Sequence, residues 1–375
     1  VFGRRVNLFK LFGFQVRIDM SWIVIAVLVA WSLSSGFFPV HFENLSTQAY
    51  WIMGIIGAVG LFLSIIFHEM AHSLVARRFG LPMRGITLFI FGGVAEMDQE
   101  PPSPKAEFYM AVIGPVSSFV LAGLFYWGYV AGMQQRWPAM ATGILMYLAA
   151  INGILGLFNL VPAFPLDGGR ILRSILWKAK GNLRWGTKVS SWIGSGFGIL
   201  LIVLGVYSFL TGNFIGGLWW FLIGLFLRNA ASMSYQQLLI RRALEGEKVQ
   251  RFMTEDPVTV PPSLSIEDLV EHYIYKYHYK MFPVVEGGKL VGCMTTKQVK
   301  EVPREQWGLK RVGDLLSTCS PENTIAPGVD AVKALSAMSR NRVSRLMVTV
   351  DNRLVGVISL KDMLSFIAHK VELED

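Results

Sequence analysis

Residues 52–80 read IMGIIGAVGLFLSIIFHEMAHSLVARRFG, and inside this apolar run His68-Glu69-Met70-Ala71-His72 places three ionisable side chains. The run is long enough to cross a bilayer, which takes ~20 apolar residues. On a helix, positions four apart share a face, so His68 and His72 can share a divalent metal with Glu69 beside it. The same pattern on a soluble helix is often no more than a solvated polar face. At membrane depth ionisable groups carry a desolvation cost that an apolar helix has no structural reason to accept, and they mark function. The motif therefore reads as a metal site, with the histidines as ligands and Glu69 as the acid/base of a zinc hydrolase.

Working outward, the composition is that of a membrane protein with a soluble appendage. The 375 residues are 53% hydrophobic and 16% charged, with a mean hydropathy of +0.45. The apolar residues crowd into roughly the first 230 positions, which excludes a single soluble fold. Six apolar segments, 20–38, 52–76, 107–132, 139–161, 190–210 and 213–228, are expected to form transmembrane helices. The net charge of +9 comes from arginines and lysines in short flanking loops. Arg4, Arg5, Lys10 and Arg17 precede the first segment, Arg77, Arg78, Arg84 and Lys105 follow the second, and Arg170 to Lys188 follow the fourth. The alternate loops hold only Arg136, so a multi-pass cell-membrane protein with both termini cytoplasmic is expected. Counting back from Arg77 at ~1.5 Å per residue puts His72 and His68 roughly 7 and 14 Å inside the cytoplasmic end. The basic excess is thus a topology signal, and no nucleic-acid partner is expected. Cys293 and Cys319 have no metal-type spacing and fit a reducing cytosol.

Residues 86–97, ITLFIFGGVAEM, are apolar but too short to cross, and read as a short re-entrant β-hairpin around Gly92-Gly93. An open edge there could pair with an extended peptide. A tetrahedral catalytic zinc site takes a third protein ligand besides two histidines. The fourth segment ends in NLVPAFPLDGGR, 159–170, on the same side of the membrane as the histidines. Pro162, Pro165 and the glycine pair break the helix there and leave Asp167 on irregular backbone, which suits a lined cavity. Asp167 is the preferred third ligand, with Glu96, Asp98 and Glu107 as alternatives on the same side.

His-Glu-x-x-His on the second segment and NLVPAFPLDGG at the end of the fourth together resemble the site-2 protease family of intramembrane zinc metalloproteases. The resemblance covers about 1–230 and implies Zn2+ held by His68, His72 and Asp167, Glu69 as catalytic acid/base and Asn159 as a second catalytic group near the reacting centre. It also implies a substrate-binding strand at Gly92, Gly93, Val94 and Ala95, holding the substrate extended. Gly114-Pro115 matches a further landmark, although Ser118 stands where the family often has Asn. Asn152 reads as an interhelical amide contact. His41, His272, His278 and His369 have no ligand spacing and read as ordinary residues.

After a linker helix at 231–245 the chain repeats itself. KMFPVVEGGKLVGCMTTK from Lys280 aligns without gaps with SRLMVTVDNRLVGVISLK from Ser344, each reading as strand, turn, strand and helix start. The repeat resembles a tandem pair of cystathionine-β-synthase (CBS) domains, here 246–305 and 306–370. That implies an α/β module binding an adenine nucleotide, ATP or AMP, or mediating a homodimer. The nucleotide-binding segment is kept in the second copy at Ser359 and Asp362, whereas the first has Thr295 and then Gln298 in the acidic position.

The combined expectation is a polytopic α-helical membrane domain, six transmembrane helices and a β-hairpin, followed by an α/β tandem CBS module. Such a protein cuts a membrane-spanning or membrane-tethered regulatory protein in the lipid bilayer near the cytoplasmic face. The rivals are a CBS-regulated metal transporter or channel and an inactive scaffold. A transporter is disfavoured because 1–230 shows no internal repeat and the ionisable cluster lies toward one face. A scaffold is disfavoured because the whole ligand and acid/base set is present.

Overall fold

A computed structural model describes residues 5–374, apart from 82, 90–91, 98–99, 321 and 342. The chain divides into two compact units, Val1–Gln236 and Gln237–Asp375.

The first unit opens with a hairpin, β1 (Arg5–Leu11) and β2 (Phe14–Asp19), turned at Phe12 and Gly13, both at positive φ. α1 (Ser21–Ser32) runs through a π-helical turn, Leu33–Phe37, into α2 (Phe38–His41). α3 (Thr47–Arg78) carries the histidine motif, capped by Ser46, whose Oγ accepts from Ala49 N at 3.2 Å. β3 (Met83–Phe89) and β4 (Gly92–Met97) follow, then α4 (Pro104–Gln134), whose cap is Ser103 with Pro104 in its first turn. α5 (Ala139–Asn159), α6 (Asp167–Lys180), α7 (Leu183–Leu210) and α8 (Phe214–Leu244) complete the helices.

Among the described residues five helices are long and apolar enough to cross a membrane: Ser21–His41, Thr47–Arg78, Pro104–Gln134, Ala139–Asn159 and Leu183–Leu210. The sixth expected span, 213–228, is the first half of α8 and is not among them. α7 and α8 still pack closely through glycines. A Cβ on Gly198 would lie 2.7 Å from Gly224 O, and one on Gly205 2.8 Å from Gly217 O.

The hairpin expected at 86–97 pairs Thr87 with Val94 and Leu88 with Gly93, but it is half of a larger sheet of order β1-β2-β3-β4. β2 and β3 join in parallel, so the N-terminal residues that read only as a basic loop supply the other half. Val16, Ile18, Ile86 and Leu88 from this sheet pack on Ile66 and Met70 of α3, the residues flanking His68 and Glu69. The sheet is thereby fixed across the histidine turns, with β4 at its edge.

The second unit takes in the last turns of α8, since Ile240, Ala243 and Leu244 pack in its core with Leu346, Val348 and Ile358. The residues read as a linker helix are therefore partly core. β5 (Thr254–Glu255) leads to helical turns α9 (Ile266–Asp268), π-helical Leu269–Ile274 and α10 (Tyr275–Tyr277). β6 (Met281–Glu286), β7 (Lys289–Thr295) and α11 (Thr296–Lys300) end the first copy. The second comprises β8 (Ser317–Thr318), β9 (Thr324–Ile325), α12 (Ala331–Asn341), β10 (Arg345–Val350), β11 (Arg353–Ser359) and α13 (Leu360–Glu374).

Both long hairpins turn through two residues at positive φ, Gly287-Gly288 and Asp351-Asn352, as a tight hairpin requires. The opening strands are exchanged between copies: β5 pairs with β11 and β8 with β7. Between the copies Leu290, Cys293 and Met347 form a buried cluster with Cys319 against it. Cys293 is a packing residue of this cluster, and burial pushes its thiol up to about 11.

Candidate metal centre

His68 and His72 occupy successive turns of α3, and both are buried. Asp167 enters from the far side of the sequence. The chain leaves α5 at Leu160, turns through Pro162–Leu166 and starts α6 at Asp167, so the carboxylate stands in the first turn of a helix and not on irregular backbone. Gly168 and Gly169 make that approach possible. A Cβ on Gly168 would lie 2.3 Å from Leu160 O, and one on Gly169 2.2 Å from Phe164 N.

His68 Nε2, His72 Nε2 and Asp167 Oδ2 form a triangle with all three sides 3.1 Å. Corners of a tetrahedron with zinc bonds of ~2.0–2.1 Å are separated by about 3.3–3.4 Å, so the spacing suits that ion. The partners of the outer nitrogens agree. His72 Nδ1 lies 2.5 Å from Met110 O, a carbonyl that can only accept, so Nδ1 carries the proton and Nε2 turns its lone pair inward. His68 Nδ1 lies 2.8 Å from Ser118 Oγ, which can accept in the same way. Three acceptor atoms facing one another in a buried site call for a cation between them. These are also the sole three or more His, Cys, Asp and Glu side chains among the described residues that meet at metal-binding distance.

Of the alternative ligands, Glu107 is fully buried but bound elsewhere, its Oε1 accepting from Arg173 Nε at 2.6 Å. The side chain of Glu96 and all of Asp98 lie outside the described residues. Glu69 is half-buried, in the electrostatic field of His68, His72, Asp167 and Arg170. Asn159 ends α5 and spends one N–H on its own helix, donating to Leu155 O at 3.0 Å. Gly92, Gly93, Val94 and Ala95 lie on edge strand β4, which contacts α3.

Sequence reasoning missed Met110 and noted Gly114 and Ser118 without giving either a role at this site. Met110 acts through its backbone, which leaves no trace in a side-chain pattern. Ser118 stood out only as a departure from the usual Asn, and it is the partner of His68. Gly114 lets α4 lie against the ligands, because a Cβ there would come within 2.2 Å of His72 Nε2 and 2.6 Å of His68 Nε2.

In the second unit Ser359 caps α13, its Oγ lying 2.5 Å from Asp362 Oδ2 and accepting from Asp362 N at 3.2 Å. In the first copy Gln298 closes the equivalent position, donating to Leu315 O at 2.6 Å and to Ser317 Oγ at 3.2 Å.

The model of peptidase family M50 matches residues 56–143 and 129–204, and that of the CBS domain matches 249–304 and 312–369. The chain is 32% identical over 369 residues to the putative zinc metalloprotease Rip3 of Mycobacterium tuberculosis, covering 96% of this chain and 92% of that protein. It is 29% identical over 375 residues to the zinc metalloprotease MJ0392 of Methanocaldococcus jannaschii, covering 99% of each. A solved site-2 protease from Methanocaldococcus jannaschii aligns with a TM-score of 0.43 at 29% identity, over 61% of this chain and 94% of that one. With similarity running along nearly its whole length, the chain belongs to peptidase family M50, the site-2 proteases, as a zinc metalloprotease carrying tandem CBS domains.

Proposed function

We propose that this protease holds zinc through His68, His72 and Asp167 and cuts a membrane-spanning or membrane-tethered regulatory protein near the cytoplasmic face. The observation that carries the reading is the buried 3.1 Å triangle of ligand atoms, two of them on a helix able to span a bilayer. Zinc, when bound, supplies a Lewis acid for the scissile carbonyl. The Glu69 carboxylate takes the proton of the attacking water and delivers it to the leaving amine nitrogen. Asn159 has its second N–H and its Oδ1 to offer the substrate. A transmembrane helix keeps its carbonyls in its own hydrogen bonds, so cleavage requires local unwinding. The outer edge of β4, at Gly92–Ala95, offers backbone groups to the unwound segment. Both termini then lie in the cytoplasm, where the CBS module binds ATP or AMP at Ser359 and Asp362 or pairs two chains.

One experiment tests the reading, on purified wild type and single variants with a reconstituted single-span substrate. Glu69→Gln is expected to keep about one zinc per chain and lose cleavage, and Asp167→Ala to lose the zinc. Adding ATP or AMP is expected to change the cleavage rate of wild type but not of Asp362→Ala. Full zinc in Asp167→Ala would move the third ligand elsewhere, and undiminished cleavage by Glu69→Gln would remove the acid/base.

A further inference from the structure

We propose that Arg173 is the positioning residue of the metal centre, holding the Asp167 turn at a fixed place relative to His72. The inference rests on the reading of Asp167 as a ligand. Arg173 follows Asp167 by six positions on α6 and is 5% exposed. Its Nε donates to Glu107 Oε1 at 2.6 Å and its Nη2 is ion-paired with that same oxygen, Oε2 being left buried without a partner. Nη2 also donates to Glu100 Oε2 at 3.3 Å, on the segment that leads from β4 into α4. The guanidinium carbon stands 5.1 Å from the centre of the Phe164 ring, in the loop just before Asp167. One planar cation therefore grips the chain on both sides of Asp167, the loop before it and the helix after it.

The other end of the grip is equally informative. Glu107 lies one helical turn from Met110, whose carbonyl fixes His72. A single turn of α4 thus bears on both ligands, His72 through a backbone carbonyl and Asp167 through the Arg173 guanidinium. A buried ion pair is a poor device for stability, because desolvating two charges offsets most of their attraction. A guanidinium that directs Nε and Nη2 onto one carboxylate oxygen, and Nη2 onto a second carboxylate as well, is a good device for geometry, since its planar array of donors tolerates little displacement. Partners behind metal ligands act in this way, and their loss typically weakens metal binding by about 10–100-fold.

The test uses full-length wild type, Arg173→Gln, Arg173→Lys and Asp167→Ala in detergent. Three readouts are taken: zinc transfer to a chromophoric chelator, the visible spectrum of the Co2+-substituted protein, and thermal unfolding after metal removal. Arg173→Gln is expected to release zinc about 10–100 times faster than wild type with altered Co2+ bands, and Arg173→Lys, charged but without the planar array of donors, to fall between. A wild-type release rate and spectrum in Arg173→Gln, even with a lowered melting temperature, overturns the proposal and leaves Arg173 a purely structural residue. Should Arg173→Gln not accumulate, Arg173→Lys decides: release faster by about threefold or more supports the proposal, and anything less overturns it. Asp167→Ala separates the two claims, because full zinc there removes the ligand assignment itself.

Discussion

A hydrogen in place of a methyl group at position 114 decides whether two imidazoles can converge on one ion. α4 carries Met110 and Ser118 against the two histidines, so it cannot back away from an added Cβ without giving up both contacts. Gly114→Ala is therefore expected to insert and fold but to lose most of its zinc, with cleavage falling at least about 100-fold. Elemental analysis beside a thermal melt checks this, and a variant with full zinc would show that α4 shifts freely. His68, Glu69 and His72 were legible because their relation is local, four positions on one helix in an apolar run. Asp167 was legible as the preferred of four carboxylates, but its spacing alone did not single it out. What removes Glu107 from the competition is Arg173, 66 positions away, and no spacing rule reaches across that distance.

Among the elements, the apolar segments gave the long helices their places because length and hydropathy are properties of a single stretch. The four-stranded sheet was half hidden. Its N-terminal strands carry exposed Val6, Leu8 and Phe9 among basic residues, so their alternation does not separate a core face from a solvent face. Within the helices, Asn152 behaves as an interhelical amide: its Nδ2 donates to Ser64 Oγ at 3.0 Å, joining α5 to α3 one turn from His68. Its Oδ1 is buried without a partner, so removing the amide also removes an unmet acceptor. Asn152→Ala is thus expected to cost less than about 1 kcal/mol, in line with the ~0.6 kcal/mol typical of such bonds in membranes, and to keep its zinc. Reversible unfolding in detergent, with metal content alongside, checks it. A loss of several kcal/mol, or of the metal, would place Asn152 among the supports of the centre.

For the whole molecule, the sequence announces two copies of a module without revealing that neither is complete. The 64-position offset is visible because the long hairpins repeat residue by residue, down to a register shift after Val284 and again after Val348. The strands that join the copies are two residues each, too short for any periodicity, and they pair crosswise: Gly292 with Thr318, and Gly356 with Glu255. Both pairings cross a cut between 305 and 306, and the cut also opens the cluster of Leu290, Cys293 and Met347 to water. Copies related by such an exchange fold as one unit, because each half alone leaves a sheet edge unpaired and an apolar face exposed. Residues 246–305 and 306–370 made separately are therefore expected to lack a cooperative thermal transition. Residues 237–375, which include the last turns of α8 packed against the second copy, are expected to show a single one. Circular dichroism melts of the three fragments decide the matter. A sharp transition in either half alone would mean that the exchanged strands are ornamental, and that a nucleotide bound at the proposed Ser359 and Asp362 site would act within one copy instead of moving the pair together.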